Sequence, residues 1–387
     1  MANLLVISSA PATLLDGKPF LDAKFVEGMR FYSDLWDGPV SCLLKRRDNT
    51  FPFGKSYEQD QLPFKIRLLP VNKTIGVEEI NESDVILCGG DNHEHLHLAD
   101  IYREAQKKLV FTIEQHPETR RQIIFLDPVR SLPKKLYSQL WAMKQERRRR
   151  RAFRKADGIQ ANGYPALSVY RPMNANTMMY LDNRVGENLL ATENEMKARE
   201  NRLMSGGPLR LVHSGRLEHL KGSHDLVPIA RLLVSKGVDF TLDIFGTGSL
   251  EDEIRKDIAK HGLQQCVRLN GAVDFETELV PFARENADVY LSCHRQSDPS
   301  CTYIESMGCG LAVVGYDNRM WAALCRESGA GWSGPLGHVE ALADALASVA
   351  KNRQEVAKAC RAARTFAGNH SFENEFHRRI DHLKALL

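Results

Sequence analysis

The sequence contains no apolar run that approaches the 18 residues of a membrane-spanning helix. Its first residues lack the basic region of a signal peptide, and their short apolar run is typical of a first β-strand. The 8 cysteines form no Cys-x-x-Cys pair, so neither a zinc ribbon nor a disulfide framework is indicated. We therefore expect a cytoplasmic chain with reduced cysteines rather than a transmembrane or secreted one.

Length and composition favour a globular protein with two domains. The 387 residues exceed one ordinary domain, because domains average roughly 150 residues. Hydrophobic residues make up 43% of the chain and charged residues 26%, which is the usual globular mixture. Short apolar runs alternate with helical patterns in both halves, which indicates parallel β-α units. The predicted strands lie at 4–7, 40–44, 66–69, 85–88, 109–113, 158–161, 209–214, 240–245, 267–270, 289–293 and 311–314.

The α/β pattern is interrupted once, by a stretch rich in proline, asparagine and glycine. This stretch ends with Ser205, Gly206, Gly207 and Pro208, a composition typical of a connection between domains. We predict two tandem Rossmann-like, doubly wound domains that face a cleft. Their predicted bounds are 1–180 and 209–369, with a connection at 181–208 and a final helix at 370–387 that crosses back to the first domain.

Positive charge is concentrated in one segment, 134–155, which holds ten basic residues and one acid. The whole chain has 52 Lys and Arg against 49 Asp and Glu, so the remainder is net negative. Apolar residues at near-helical spacing indicate an amphipathic helix with a cationic second half. It could bind an anionic membrane surface, bind nucleic acid or be a solvated face. No nucleic-acid-binding motif accompanies the charge, so we expect no nucleic-acid partner.

The sharpest motif follows the first strand of the second half. The strand ends near His213, Gly215 allows the backbone to turn, and Arg216 and Lys221 come before the next helix. In a doubly wound sheet, ligands bind at the carboxyl ends of the strands. A guanidinium and an ammonium placed there suit a diphosphate. The alternative is a packed turn in which Arg216 pairs with a nearby acid.

A second motif predicts a helix that begins close to the same edge. Asp298 is a suitable N-cap and Pro299 a suitable first helical residue, so the first turn should offer free amides to an anion. Glu305 falls further along this helix, where a carboxylate can accept hydrogen bonds from two vicinal hydroxyls. The alternative is a capped helix with a surface glutamate, ended by Gly308 and Gly310.

These two motifs, with the glycine-containing segments 245–251 and 269–273 between them, resemble the nucleotide-sugar domain of GT-B glycosyltransferases. The resemblance is to the retaining glycosyltransferase family 4 group; it spans about 209–369 and is only architectural over 1–200. It implies that Arg216 and Lys221 hold the donor pyrophosphate and that Glu305 binds the ribose. The other donor-binding residues that it implies are Gly215, Gly246, Gly248, Gly271, Ala272, Val273, Asp298, Ser300, Cys301 and Thr302.

One family position departs from the pattern. The family motif is Glu-x7-Glu, and Ser297 stands where the first glutamate is expected. Asp298 follows that position by one residue. Either Asp298 contacts the hydroxyls of the donor sugar in place of the glutamate, or it is only the N-cap of the helix.

The first half should bind the acceptor and supply a group near the anomeric carbon. His116, just after a predicted strand, is the candidate by resemblance, with Glu114 as an alternative and a structural role as another. Gly17 and Lys18, after the first strand, are further cleft candidates. His93, His95 and His97 alternate, but no distant cluster completes a metal shell, and two of the three should face solvent. We predict no metal site.

The resemblance implies a retaining, metal-independent glycosyltransferase that moves a hexose-type sugar from a UDP- or GDP-linked donor. The expected acceptor is a lipid-linked saccharide or glycolipid of surface polysaccharide biosynthesis, and no cofactor is expected. The sequence has no Asp-x-Asp motif for a divalent ion, which agrees with cationic side chains serving instead. We expect the protein in the cytoplasm, with the inner face of the cell membrane as a peripheral site. The alternatives are a non-catalytic nucleotide-sugar-binding protein and a nucleotide-sugar epimerase.

Overall fold

A computed structural model of the chain describes residues 1–51, 54–127, 129–297 and 299–387. It divides into two units. The first unit comprises Met1–Arg121, Arg130–Tyr180 and Glu373–Leu387, and the second comprises Gln122–Val129 and Leu181–Phe372.

The first unit is built on a parallel sheet with the strand order β10-β9-β8-β7-β1-β4-β6. Strands β2, β3 and β5 form a separate antiparallel sheet. The central strands are apolar and buried, as is typical of parallel sheets covered on both faces. The strands are β1 Leu4–Ile7, β2 Ala12–Leu15, β3 Lys18–Asp22, β4 Val40–Lys45, β5 Gly54–Ser56, β6 Lys65–Leu69, β7 Val85–Gly89, β8 Lys108–Ile113, β9 Gly158–Asn162 and β10 Thr177–Tyr180.

The second unit has one parallel sheet with the order β13-β12-β11-β14-β15-β16. The chain builds outward from β11 to β13 and then returns to the other side of β11 with β14. The connections therefore leave β11 and β14 in opposite directions, which creates a crevice at their carboxyl ends. The strands are β11 Leu209–Ser214, β12 Phe240–Phe245, β13 Val267–Gly271, β14 Val289–Ser292, β15 Ala312–Tyr316 and β16 Gly331–Gly334.

Helices connect the strands of both sheets. Within the described residues, no helix combines the length and the apolar character that crossing a bilayer requires. The helices are α1 Ala23–Leu35, α2 Val77–Ile80, α3 Leu98–Ile101, α4 Pro117–Leu126, α5 Leu132–Lys155, α6 Gly163–Tyr170, α7 Glu193–Ser205, α8 Leu226–Ser235, α9 Glu251–Lys260, α10 Val280–Asn286, α11 Cys301–Gly308, α12 Arg319–Ser328, α13 Val339–Lys351, α14 Arg353–Asn369 and α15 Phe372–Lys384.

The prediction of two Rossmann-like α/β domains is confirmed, and β11 and β12 have the predicted bounds. The final helix α15 packs in the first unit, where the Phe376 ring lies 5.4 Å from the Phe31 ring and 5.3 Å from the Tyr32 ring. The segment predicted as a connection belongs to the second unit. Its helix α7 is held there by Arg199, which is buried and donates to backbone oxygens that include Ala287 O at 2.9 Å and Gly310 O at 2.8 Å.

Candidate functional site

The loop after β11 exposes a guanidinium at the carboxyl edge of the second sheet. Gly215 has a φ of 145°, and its N–H donates to Phe245 O of the neighbouring strand at 3.0 Å. The next side chain, Arg216, is exposed, and its guanidinium has no ion pair among the residues that the structure describes. The packed-turn alternative, in which Arg216 pairs with an acid, is therefore not the arrangement of this loop.

Gly222 joins the loop after β11 to the loop after β14. Its φ is 68°, and a Cβ at this position would lie 1.8 Å from Cys293 O. The two loops are also connected by a hydrogen bond from Arg295 N to Leu220 O at 3.3 Å. This contact holds half-buried Lys221 at the crevice between β11 and β14.

The glycines after β12 pack against the loop after β11. A Cβ on Gly246 would lie 1.9 Å from Gly215 O, and one on Gly248 would lie 2.5 Å from Leu217 O. Gly246 N also donates to Gly271 O at 2.7 Å, which connects the loops after β12 and β13. The close approach of two backbone segments is thus a sufficient reason for glycine at both positions, independent of any contact with a nucleotide.

Two of the predicted donor-binding residues follow Gly271 directly. Ala272 is exposed and Val273 is partly exposed, so both present surface at the carboxyl end of β13. Their contact with a nucleotide base stays a prediction.

Helix α11 begins two residues later than predicted. Its N-cap is Ser300 and its first helical residue is Cys301, so Pro299 is not in the helix. The Ser300 and Thr302 hydroxyl oxygens lie 2.8 Å apart, and Ser300 makes no side-chain cap bond. Because α11 follows β14, which is parallel and adjacent to β11, this first turn begins beyond the same carboxyl edge of the sheet as the loop after β11. Asp298, predicted as N-cap or sugar ligand, lies outside the described residues.

Ser297, at the position of the missing family glutamate, is buried and holds the loop after β14. Its N–H donates to Gln122 Oε1 at 3.3 Å, and its hydroxyl accepts a hydrogen bond from Arg319 N at 3.3 Å. These two bonds give Ser297 a structural function in this loop.

Glu305 is buried at 5% exposure, so it is not the surface glutamate of the alternative hypothesis. Its Oε1 accepts a hydrogen bond from Arg184 Nε at 2.8 Å. The Arg184 guanidinium also lies over the Phe275 ring, 4.0 Å from its centroid, just beyond β13. Sequence reasoning missed Arg184 because it lies in the segment predicted as a connection, with no motif around it.

Two buried imidazoles lie at the crevice between β11 and β14. His213 Nδ1 is 2.9 Å from Leu291 O, so Nδ1 carries the proton, and Nε2 has no partner among the described residues. Burial lowers the pKa of His213 to about 4, opposed by the Leu291 bond and assisted by Lys221. Burial and then the Lys221 charge also hold the pKa of His294 well below its usual value. The ammonium of Lys221 thus acts beside two neutral rings.

An ion pair between half-buried Arg295 and buried Asp225 holds the loop after β14. Arg295 donates to Asp225 with Nη2 to Oδ2 at 2.7 Å and Nε to Oδ2 at 3.1 Å. The Tyr316 hydroxyl, at the end of β15, donates to the same oxygen at 3.0 Å. This network leaves Asp225 neutralised and gives the loop one defined position.

His116, in the first unit, is buried with 0% exposure, and its Nε2 lies 3.0 Å from Thr119 Oγ1. Glu114 is exposed, and its N–H donates to Asp91 Oδ2 at 2.9 Å. Asp91 also accepts from Arg120 Nη2 at 2.6 Å, which secures the loop after β8. Of the two acid-base candidates, only Glu114 presents its side chain to solvent in this conformation, and a catalytic role for either stays a prediction.

Gly17 and Lys18 lie in a hairpin rather than in an irregular loop. Asp16 and Gly17 have φ values of 51° and 78°, and they connect antiparallel β2 and β3. Positive φ at both turn residues is typical of tight hairpins. Lys18 forms an ion pair with Glu58. The predicted strands above do not include this hairpin, although its Asp-Gly pair lies between two short runs that contain apolar residues, which is a hairpin signal.

Two of the three alternating histidines contact backbone oxygens. Nδ1 of His95 lies 3.2 Å from Gly89 O, and both ring nitrogens of His97 lie 2.7 Å from carbonyl oxygens. The expectation that two of the three face solvent is wrong, since His95 is buried and His93 and His97 are partly buried. Across the described ranges, no group of three or more His, Cys, Asp or Glu side chains could hold a metal ion.

The second unit matches a known family. Residues 195–366, somewhat less than half of the chain, match the family model described as "Glycosyl transferases group 1". The amylovoran biosynthesis glycosyltransferase AmsK of Erwinia amylovora is 30% identical over 185 residues, which are 45% of this chain and 42% of that protein. The match spans less than half the length of that relative.

Solved structures match the chain over its whole length. The crystal structure of Anabaena Alr3699/HepE in complex with UDP covers 100% of both chains with a TM-score of 0.69 at 16% identity. The apo form of the lipopolysaccharide outer core galactosyltransferase WaaB also covers 100% of both chains, with a TM-score of 0.66 at 12% identity. At such identities the likeness concerns the fold. The chain has the GT-B fold of these glycosyltransferases, and its residues 195–366 are similar to group 1 glycosyltransferases.

Proposed function

We propose that the chain is a retaining glycosyltransferase that takes a hexose-type sugar from a UDP- or GDP-linked donor. One observation carries the proposal. The loop after β11 brings exposed Arg216 and half-buried Lys221 to the sheet edge where α11 begins and where buried Glu305 lies. The match of residues 195–366 to group 1 glycosyltransferases supports the same assignment.

Departure of the nucleoside diphosphate is the step that these residues would assist. As the bond from the anomeric carbon to the phosphate oxygen breaks, negative charge grows on the diphosphate while the sugar becomes positively charged. Arg216, Lys221 and the first amides of α11 would stabilise that charge from fixed positions. Glu305 would orient the donor by accepting hydrogen bonds from the ribose hydroxyls.

In this proposal cationic side chains replace a divalent metal. The absence of an Asp-x-Asp motif and the exposed cation at Arg216 support it. Turnover in the presence of EDTA, measured as release of nucleoside diphosphate, should equal turnover with added Mg²⁺. Loss of turnover in EDTA, restored by Mg²⁺, would contradict metal independence.

Helix α5 supports a membrane-associated acceptor. Leu132, Leu136, Leu140 and Met143 are exposed by 46% to 74% and recur every three or four residues, so they share one face of the helix. The same spacing continues on the same face with exposed Arg147, Arg151 and Arg154. We call these seven residues the α5 stripe. Arg149 lies on the opposite, buried face, where its Nε donates to Gly90 O at 2.8 Å.

An apolar half followed by a cationic half suits an anionic bilayer, in which acyl chains lie beside phosphates. We therefore propose that the α5 stripe binds the membrane that carries a lipid-linked saccharide or glycolipid acceptor. In sedimentation with vesicles, binding should require anionic lipid, weaken in high salt and fall when Leu136 and Leu140 are replaced by Glu. Absent or salt-insensitive binding would favour a solvated helix face.

A non-catalytic nucleotide-sugar-binding protein is the second candidate. Ser297 stands where the family has a glutamate, and His116 is fully buried. Slow hydrolysis of UDP- or GDP-sugars by the purified chain would support the enzyme. Binding of such a donor without any hydrolysis or transfer to lipid extract would support the second candidate.

A further inference from the structure

A polar cavity of about 450 Å³ lies in the first unit, whereas the donor-binding residues proposed above belong to the second. It opens at the carboxyl ends of strands β4, β6 and β7, the edge at which doubly wound sheets bind ligands. Its volume suits a mono- or disaccharide. The polar side chains that line it include Lys45, Asn72, Thr74, His93, Glu94 and Arg148.

The charges in this cavity do not cancel. Lys45 Nζ and Glu94 Oε2 form an ion pair at 2.6 Å, so the carboxylate among the lining residues is already neutralised by a lysine. Arg148 Nη1 donates to the neutral amide oxygen of Gln145 at 2.8 Å. Over the described ranges of the chain, no carboxylate lies within ion-pair distance of the Arg148 guanidinium. The cavity therefore keeps one unneutralised cation, which an anionic ligand could pair with.

The imidazole of His93 responds to the same positive surroundings. Burial is the main cause that lowers its pKa; Glu94 opposes this effect, and Arg148, Arg149 and Lys45 each add a smaller lowering. The His93 ring also packs edge-to-face on Trp141, with 4.9 Å between the ring centroids. Trp141 is exposed by 43% on α5, so the cavity adjoins the helix that carries the α5 stripe.

We propose that this cavity binds an anionic saccharide, with its phosphate or carboxylate on Arg148 and Lys45 and its hydroxyls on Asn72 and Thr74. Identifying this saccharide as the acceptor rests on the proposed function. The neighbouring α5 stripe then explains how the acceptor's lipid portion reaches the bilayer while its charged headgroup enters the protein.

The test uses the full chain with ¹⁵N-labelled tryptophan, in which the indole signal of Trp141 is identified with Trp141→Phe. Glucose 1-phosphate, glucuronate, glucose and inorganic phosphate are titrated in turn, each with saturating UDP to occupy the donor site. We expect the Trp141 signal to shift with glucose 1-phosphate, with glucuronate or with both, and at least tenfold more weakly with glucose or inorganic phosphate. Binding of glucose 1-phosphate would identify a phosphate as the group that the cavity recognises, and binding of glucuronate would identify a carboxylate.

Arg148→Gln should weaken the binding of the anionic sugar at least tenfold, whereas Lys134→Gln, exposed on the same helix outside both the cavity and the α5 stripe, should leave it unchanged. Equal loss in both variants would mean general attraction to a basic surface and would overturn the proposal. Equal binding of glucose, or no shift with either anionic sugar, would overturn it too. The UDP-induced rise in melting temperature, measured on the same samples, tests the proposed function separately.

Discussion

Arg184 Nε lies 2.8 Å from Glu305 Oε1, so the predicted ribose-binding carboxylate is already paired with a cation. The partners differ in burial, with 42% of the Arg184 side chain exposed but only 6% of the Glu305 side chain. Water can therefore hydrate Arg184 when its partner is removed, whereas Glu305 would remain buried as an unpaired charge. This asymmetry separates a binding role for Glu305 from a structural one.

Glu305→Gln should weaken UDP binding at least tenfold, because a hydrogen bond to a charged group contributes about 1.5–3 kcal/mol. Its effect on stability should be small. Arg184→Gln should instead lower the free energy of unfolding by about 1–3 kcal/mol, since a buried acceptor loses its partner. Titration calorimetry and urea unfolding measure the two quantities. Unchanged UDP affinity in Glu305→Gln would reduce this carboxylate to a structural ion pair.

Arg216→Ala and Lys221→Ala should each lower kcat about 100- to 1,000-fold, because loss of one preorganised charge-stabilising group costs about 3–4 kcal/mol of barrier. The exposed Arg216 makes little contribution to the fold, so its variant should unfold like the parent. Arg231→Ala, exposed on α8, serves as the matched control and should keep full activity. Near-native rates in both test variants would remove them from the donor site.

Gly222→Ala tests the contact between the loops after β11 and β14. A left-handed φ alone costs a non-glycine residue about 1–2 kcal/mol. Gly237→Ala isolates that cost, because Gly237 has a φ of 65° and nothing within 4 Å of an added Cβ. Gly222 has a similar φ of 68°, but its Cβ would collide with Cys293 O.

Gly222→Ala should therefore lower the free energy of unfolding by more than Gly237→Ala and should also abolish the UDP-induced rise in melting temperature. Gly237→Ala should retain that rise. If both variants lose the same stability and both still bind UDP, the two loops do not depend on each other as described.

Stability should fall below neutral pH because His213 is buried in its neutral form. Its pKa is about 4 in the folded chain, against an ordinary value of 6.5. As the pH falls, the unfolded chain therefore binds a proton at this ring before the folded chain does. The contribution of His213 to the free energy of unfolding is therefore fully present above pH 6.5 and is lost as the pH falls toward 4. Between pH 7 and pH 5 the loss from this residue should be about 2 kcal/mol.

Urea unfolding at pH 7 and pH 5 measures this loss. His213→Gln should reduce the pH dependence by that amount, since glutamine does not titrate. His377→Gln, at an exposed position, serves as the control substitution. A His213→Gln chain with an unchanged slope would show that this ring does not titrate below its ordinary range.

Eleven of the described strands were readable from the sequence because each is a short, mostly apolar run between polar turns, whereas β2, β3, β5, β10 and β16 were not predicted. The loop of Gly215, Arg216 and Lys221 was readable for a related reason, since it directly follows such a strand. The start of α11 was not, because Asp298 and Pro299 are both good helix-starting residues and nothing in the sequence favours Ser300, the observed N-cap, over them.

Sequence patterns did not predict the ion pairs between residues that are far apart along the chain. Arg184 meets Glu305 across 121 positions, and no periodicity connects them. Asp225 and Arg295 are 70 positions apart, and neither residue belongs to a motif identified in the sequence. The burial of Arg149 was equally hidden, because five consecutive arginines suggest a uniform charged surface, whereas the helix turns one of them into the core.

The most direct test of the donor site is a crystal structure of the chain grown with UDP in the presence of EDTA. The diphosphate oxygens should lie about 3 Å from the side-chain nitrogens of Arg216 and Lys221 and beside the first amides of α11. A nucleotide bound anywhere else on the chain, or one that is held only when a metal ion is supplied, would contradict the account.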